Sequence, residues 1–159
     1  MKPTKSLIDC HVHLAALPDG GNGCFISPKL LRSPLFRFLL WKHDLSPTEP
    51  REANQRYLDH LLTELRASQH VSQVVLLGMD GFYDQTGLLN RQHTDFLISN
   101  DYVFKTVRAY PDVFLAGPSI NPQREDAIDE VHRRADAGAV LIKVLPNARH
   151  FNPADPKYI

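Results

Sequence analysis

The length, composition and charge of the chain exclude several classes of protein. Its 159 residues are 43% hydrophobic and 23% charged, which is the composition of one ordinary globular domain. The 18 basic and 18 acidic residues balance, so there is none of the basic excess typical of nucleic-acid-binding proteins. Two cysteines are too few for a disulfide framework, and no apolar run has the length of a signal peptide or a membrane span. We therefore expect a cytoplasmic protein with no nucleic-acid partner and no membrane partner.

Runs of apolar residues alternate with helical patterns along the chain. Four apolar runs are typical of strands buried in a parallel sheet, and they lie at residues 7–14, 72–79, 113–120 and 139–146. Three stretches between them place apolar residues on one face of a helix, and they lie at residues 51–69, 100–110 and 122–137. Asn121 and Gly138 suit the start and the end of the last helix. The order predicts a right-handed parallel α/β unit that forms a single domain over residues 1–159.

Two long connections follow the first and second strands of this prediction. Residues 14–50 form the longer loop, and residues 80–98 form the other. Loops after the carboxyl ends of parallel strands carry the sites of α/β folds, so both are candidate site loops. Within the longer one, "SPLFRFLLWKHDLSP" at residues 33–47 suits two structures. It forms a short helix over the site, with aromatic residues lining a substrate pocket or a subunit contact, or it packs as a loop on its own domain.

Three polar side chains interrupt the first apolar run. Because side chains alternate between the two faces of a strand, Asp9, His11 and His13 are predicted to share one face. Neutral imidazole is the commonest protein ligand for metals such as zinc, and buried polar groups are costly unless they have partners. The spacing therefore predicts that His11 and His13 bind a divalent metal ion, with zinc expected. Three roles stay open for Asp9: it contacts the metal, it orients a ligand histidine, or it only supports the strand.

The stretch "IDCHVHL" resembles the first-strand signature of the amidohydrolase superfamily of metal-dependent (β/α)8-barrel enzymes. Three later segments resemble its amidohydrolase-related branch, which holds hydrolases and non-oxidative decarboxylases. They are "LLGMDGFYDQTG", "SNDYVFKTVRAYPDVFLAGPSINPQREDAIDEVHR" and "AGAVLIKVLPNARHFNPADPKY". The resemblance implies an α/β fold that is the N-terminal part, about four βα units, of a TIM barrel. It also implies that His11 and His13 are the two metal ligands of the first strand.

Lys143 lies within the fourth apolar run and matches the lysine of the family's "IKLHP"-like stretch. The resemblance implies a catalytic position near the metal or the substrate, and in some members this lysine is carbamylated and bridges two metals. A lysine in an apolar strand needs a partner or a shifted pKa, unless its stem lets the ammonium group reach solvent. Asp80, at the end of the second run, and His150, after the fourth, are further candidates for contacting the substrate or supporting the ligands.

The family places its other metal ligands, a histidine and an aspartate, on the fifth and eighth barrel strands. The 159 residues match only the first half of such a barrel, so we expect the chain to be truncated. A catalytic zinc site normally has three protein ligands. The chain is therefore expected to hold its metal weakly and to be inactive, or nearly so, by itself.

The function implied by the resemblance is the hydrolysis of an amide, ester or lactone in a small-molecule substrate by metal-activated water. Three alternatives stay open. The first is non-oxidative decarboxylation of an aromatic acid, and the second is phosphoester hydrolysis of the TatD or PHP type. The third is a non-catalytic half-barrel that forms a homo-oligomer or pairs with a complementary C-terminal half, because exposed strand edges and apolar faces favour association.

Overall fold

The computed structural model, which describes residues 7–149 and 151–158, is an α/β fold built on a three-stranded parallel sheet. Its strands are β1 (Leu7–His13), β2 (Phe25–Ile26), β3 (Val71–Leu77), β4 (Phe96–Leu97) and β5 (Phe114–Gly117). The parallel sheet has the order β1-β3-β5, and β2 pairs with β4 in a separate antiparallel ribbon. Strand β3 is central, with β1 on one side and β5 on the other, and the apolar residues 74–77 of its carboxyl-terminal half are almost fully buried.

The first four helices lie in the connections between the strands, and the last two follow β5. The helices are α1 (Pro28–Arg32), α2 (Pro34–Lys42), α3 (Pro50–Ala67), α4 (Asn100–Ala109), α5 (Ala127–Asp136) and α6 (Pro146–Arg149), followed by a 3-10 turn at Pro156–Tyr158. Ser27 and Ser99 begin α1 and α4 by accepting hydrogen bonds from N–H groups of the first turn. In residues 7–149 and 151–158, no helix combines the length and the apolar character needed to cross a membrane.

Two apolar clusters hold these elements together. The main cluster lies between the parallel sheet and the helices α3 and α4, and its members include Leu58, Leu62, Leu76, Val103 and Phe114. The second cluster lies under α2 and joins Leu17, Ile26, Leu40 and Ala53. Residues 14–50, predicted as a long loop, therefore contain β2, α1 and α2, and the aromatic segment within them forms a helix.

The predictions of a fourth strand and of a TIM-barrel half are wrong. Among the described residues, the segment 139–146 meets β5 and its extension only at two isolated parallel bridges, Ala116 with Ala139 and Ser119 with Lys143. Pro118 lies between the bridged positions and has no N–H to donate to a ladder. The bridged residues are also spaced one residue further apart on the second segment, so a regular register cannot form. The described residues form an open sheet without barrel closure, and the fold is α/β only at that level.

Strand β1 is an exposed edge strand, although its apolar run predicted a buried one. Leu7 is 58% exposed and Ile8 is 48% exposed, and Cys10 is exposed as well. Only the carboxyl-terminal part of the strand reaches the main cluster, where Val12 packs and Leu14 follows as a fully buried residue. An edge strand has a neighbour on one side only, so an apolar sequence does not guarantee that it is covered.

Helix α5 begins at Ala127, later than the predicted start at residue 122. Asn121 does not cap this helix. Its side-chain oxygen accepts a hydrogen bond from the N–H of Gln123, and its amide donates to the carbonyl oxygen of Gly81. The predicted end is confirmed, because Gly138 follows the helix with a φ of 94°, a conformation that glycine adopts without steric cost.

Candidate metal centre

His11 and His13 lie side by side at the carboxyl end of β1. Their Nε2 atoms are 3.0 Å apart, and their ring planes are inclined at 56° with the centroids 5.0 Å apart. Two imidazole nitrogens that bind one zinc ion at tetrahedral angles lie roughly 3.3 Å apart, given zinc–nitrogen distances of about 2.0–2.1 Å. The observed separation is close to this value. The contact is a hydrogen bond between the two rings, and its length is compatible with two ligands of one ion.

A β-bulge lies in β1 beside this pair. The register with β3 shifts between Asp9 and Val12, where β1 contains one residue more than its neighbour. Bulges re-aim side chains and recur next to functional sites. The carboxylate of Asp9 accepts a hydrogen bond from the backbone N–H of His11 at 2.9 Å, so it stabilises the bulged backbone. The extra residue also interrupts the strict alternation from which Asp9 was predicted to share the face of the two histidines.

Lys143 reaches the histidine pair from the segment beside β5. Its Nζ lies 3.3 Å from Nδ1 of His13 and 3.3 Å from the carbonyl oxygen of Gly78. The N–H of Lys143 donates to the carbonyl oxygen of Pro118 at 2.8 Å, and its own carbonyl accepts from Ile120 at 3.0 Å. Only 9% of the lysine is exposed. The second of the two isolated bridges therefore brings a buried cation to the ring of His13.

The pKa of His13 is lower than that of an ordinary histidine. Although the residue as a whole is exposed, partial burial of its ring is the largest cause, followed by the positive charge of Lys143 and then that of His11. Each of these effects disfavours the imidazolium form. His13 is consequently biased toward neutral imidazole, the form that binds metals.

Replacing Lys143 with methionine is expected to raise the pKa of His13, because it removes a positive charge 3.3 Å from Nδ1. The pKa can be measured by NMR titration of the imidazole signals of the metal-free protein. Lys105→Met, at an exposed position on α4, removes the same charge elsewhere and should leave the pKa of His13 unchanged. A His13 pKa that does not rise in the Lys143 variant would contradict the observed contact.

Tyr57 fastens α3 to the carboxyl end of β1. Its hydroxyl donates a hydrogen bond to the carbonyl oxygen of His13 at 2.7 Å, and burial raises the pKa of Tyr57, which keeps the phenol protonated. The helical pattern places Tyr57 on the apolar face of α3 without indicating this bond. The sequence indicates only that a tyrosine on the apolar face of a helix needs a hydrogen-bond partner for its hydroxyl, and it does not identify that partner.

Asp80 lies in a buried polar network beyond the end of β3. One carboxylate oxygen accepts from the N–H of Gly81 at 2.7 Å and from the hydroxyl of Tyr83 at 2.9 Å. The other accepts from the N–H of Asn121 at 2.8 Å and lies 3.4 Å from a guanidinium nitrogen of Arg124. Burial, and then the charge of Asp80, raise the pKa of Tyr83. These contacts hold residues 80–83 against residues 121–124. The prediction that Asp80 contacts the substrate stays a prediction.

The ligand set that the structure describes is incomplete. Across residues 7–149 and 151–158, no group of three or more His, Cys, Asp or Glu side chains is arranged to hold a metal ion. His150, predicted to contact the substrate or support the ligands, lies outside the described residues. Within the described part of the chain, the assignment of His11 and His13 as metal ligands stays a prediction.

An apolar cavity of about 260 Å³ lies beside the segment that leaves β1. Five parts of the chain line it, and the lining residues include Ala15, Ile26, Phe36, Leu39, Tyr57 and Phe96. Tyr57 belongs both to the cavity wall and to the hydrogen bond with His13, so the cavity adjoins the strand that carries the histidine pair. Residues from distant parts of the chain form the wall, and sequence patterns for single elements do not reveal such a cavity.

Comparison of the chain with models of protein families, with curated proteins and with solved structures finds no match. The geometry of the site therefore stands without a relative against which to compare it. The resemblance to the amidohydrolases stays a prediction, and it depends on the motifs in the sequence alone.

Proposed function

We propose that the chain is a metal-dependent hydrolase of amidohydrolase type, which acts on an amide, ester or lactone bond in a small molecule. One observation carries the proposal: the Nε2 atoms of His11 and His13 lie 3.0 Å apart. The buried amino group of Lys143 beside His13 supports it. The proposal concerns the chemistry of these side chains and does not depend on a barrel.

Zinc is the proposed ion, because imidazole nitrogen is among its preferred ligands. When bound, zinc supplies a water of lowered pKa and polarises the scissile carbonyl group. His11 and His13 hold the ion through their Nε2 atoms, and the lowered pKa of His13 favours the neutral ring that binding needs. Two protein ligands, one fewer than catalytic zinc sites normally have, hold the ion weakly, so turnover by these residues alone is expected to be low or absent.

Lys143 has the role of a substrate-binding cation in this proposal. An ammonium group only donates hydrogen bonds, so at 3.3 Å it donates to an unprotonated Nδ1 of His13. If a metal bound Nε2 of His13, the hydrogen would lie on Nδ1 and Lys143 would lose this contact. It would keep the carbonyl oxygen of Gly78 as a partner, and its positive charge would favour an oxygen of the substrate nearby. The adjoining apolar cavity accepts the apolar part of the same molecule.

Zinc titration followed by calorimetry tests the proposal. The unchanged chain is expected to bind one ion, and His11→Ala or His13→Ala should weaken binding by about tenfold or more, a loss that supporting groups alone can cause at metal sites. His132→Ala removes an exposed histidine from α5 and serves as the matched control, with unchanged affinity. Unchanged zinc binding in the double variant of His11 and His13 would refute the assignment of the ligands.

A non-catalytic chain that associates with a copy of itself is a second candidate function. The exposed edge of β1 favours it, because Leu7 and Ile8 leave 58% and 48% of their surfaces uncovered and, among the residues that the structure describes, β1 pairs with β3 alone. Light scattering coupled to size-exclusion chromatography decides between the candidates. A dimer that dissociates in Ile8→Lys would support association through β1, and a monomer at all concentrations would contradict it.

We further propose a cytoplasmic location. Cys10 and Cys24 are both free thiols, and unpaired cysteines are typical of proteins in reducing compartments. Burial raises the pKa of Cys24 to about 11, so this thiol stays protonated and unreactive at neutral pH.

A further inference from the structure

Helix α2 is apolar on both sides, although only one side packs against the rest of the protein. Phe36 and Leu40 face the second apolar cluster, and Leu40 is 8% exposed. The opposite side carries large apolar residues that remain in solvent. Their exposed fractions are 68% for Leu35, 52% for Phe38 and 76% for Trp41. Leu39, which is 42% exposed, lies at the flank of the helix and also lines the apolar cavity. A surface helix of a globular protein normally presents polar residues on its solvent-facing side. We therefore expect a partner to cover this face of α2.

The exposed apolar residues form one continuous patch. Leu35, Phe38 and Trp41 follow one another at intervals of three positions, which places neighbouring members together on one face of a helix. The rings of Phe38 and Trp41 contact each other with their centroids 5.8 Å apart. Tryptophan and phenylalanine are the residues that proteins concentrate at the boundary between lipid headgroups and acyl chains.

Basic residues are concentrated in the stretch of sequence that contains this patch. Between Phe25 and His43 there is no acidic residue. The basic side chains of this stretch are all exposed, and they are Lys29, Arg32, Arg37 and Lys42. In the described part of the chain, none of these four takes part in a salt bridge. The chain as a whole is neutral, so this cluster is a local concentration of charge and not a reflection of the composition.

We propose that α1 and α2, with this apolar patch and its four basic residues, bind the surface of an anionic lipid bilayer. The patch enters the interfacial region, and the basic side chains contact the headgroups, in the way of amphipathic helices that lie on membranes. We expected no membrane partner because no apolar run is long enough to span a bilayer. A helix that lies on the surface of the bilayer needs no such run. The inference is independent of the proposed hydrolase activity.

A second copy of the chain fits the same surface less well. Two copies joined symmetrically through α2 would bring the two sets of basic residues together, because a twofold interface places the same patch on both sides. Like charges at an interface oppose association. An anionic bilayer supplies the opposite charge over its whole area and accepts the apolar patch as well. Charge complementarity therefore selects the lipid surface.

The chain carries its own probe, since Trp41 is its single tryptophan and lies within the patch. Vesicles of phosphatidylglycerol and phosphatidylcholine, titrated into the full chain at low salt, are expected to shift the Trp41 emission to shorter wavelength and to sediment the protein. Brominated acyl chains in the same vesicles should quench the emission. Vesicles of phosphatidylcholine alone should bind far more weakly, and added salt should weaken binding to the anionic vesicles.

Two pairs of variants measure separately how much the basic residues and the apolar patch contribute to vesicle binding. Arg37→Glu combined with Lys42→Glu should reduce partition by roughly 25-fold or more, because each lost cation is worth about a factor of five near an anionic surface. Lys105→Glu combined with Arg108→Glu, at exposed positions on α4, is the matched control. Leu35→Ala should reduce partition several-fold, whereas Ile128→Ala, at a residue that is 70% exposed on α5, should not.

Three results would overturn the proposal. One is an unshifted Trp41 emission without sedimentation on the anionic vesicles, and another is equal binding by the two charge-reversed proteins. The third is a dimer that Leu35→Ala dissociates, since that would make a second copy the occupant of the apolar patch. Brominated-lipid quenching uses the unchanged chain, so the proposal stays testable even where a variant does not fold.

Discussion

Replacing Glu130 with alanine is expected to lower the free energy of unfolding by about 3 kcal/mol. The side chain is 2% exposed, and one carboxylate oxygen accepts hydrogen bonds at 2.8 Å from both Asn100 and Arg134. Its other oxygen lies 3.0 Å from Arg133. Alanine would leave the buried Arg134 and Asn100 without this acceptor. Arg134 keeps Asp101 as a partner at 2.8 Å, which places the expected loss at the low end for a buried ion pair.

Urea denaturation measures this loss directly. Asp129→Ala, at an exposed carboxylate in the same turn of α5, is the control and should cost at most about 1 kcal/mol through its interaction with the helix dipole. Similar losses in the two variants would show that Glu130 does not organise the contact between α4 and α5.

The same carboxylate makes stability depend on pH. Burial opposes ionisation, but the hydrogen bond from Asn100 and the interactions with Arg134 outweigh it and lower the pKa of Glu130. A carboxyl group whose pKa falls on folding stabilises the folded state at pH values above its unfolded pKa, and this contribution disappears as the pH falls through the folded pKa. The difference in stability between the unchanged chain and Glu130→Gln should therefore be largest at neutral pH and shrink below about pH 4.

Replacing Phe114 with alanine is expected to cost about 3–5 kcal/mol of stability. Phe114 is 0% exposed and lies in the main apolar cluster at the start of β5. Its ring meets that of Tyr110 edge to face, with the centroids 5.9 Å apart. Alanine would lose this buried surface and leave a cavity beside the central strand. The midpoint of urea unfolding should fall accordingly.

Phe38→Ala is the matched control for the loss of an aromatic ring. Phe38 is 52% exposed on α2, so its replacement should change stability by no more than about 0.5 kcal/mol. A large loss for Phe38, or a small one for Phe114, would contradict the observed division between the core and the exposed patch. A stable Phe38 variant also makes any loss of vesicle binding interpretable.

The sequence predicted well the strands and helices whose positions depend on the residues of one segment alone. The strands β1, β3 and β5 and the helices α3 and α4 lie close to their predicted positions, because apolar periodicity and capping residues act locally. The fourth strand fails for a local reason as well, namely Pro118 and the extra residue between the two bridges. The barrel fails because closure depends on pairings among distant strands, which no pattern within one strand specifies.

In the candidate site, too, the local spacing of residues was informative and the contacts made by the folded chain were not predictable. The Asp-x-His-x-His spacing brings His11 and His13 together as alternation requires. The bulge at residues 9–12 was not predictable from that alternation, and it turns Asp9 toward the backbone of His11. Lys143 lies beside His13 through a contact that spans 130 residues. The resemblance implied a position near the site, but only the tertiary structure identifies its neighbour.

The nitrogen signals of the histidine rings during a zinc titration test the metal-centre proposal most directly. The expected result is that the Nε2 signals of His11 and His13 change together with one equivalent of zinc, while both Nδ1 atoms carry hydrogen. His43 and His60, whose ring centroids are 6.5 Å apart, are the competing pair within the same spectrum. Changes confined to His43 and His60, with His11 and His13 unaffected, would contradict the proposal that the end of β1 is a metal site.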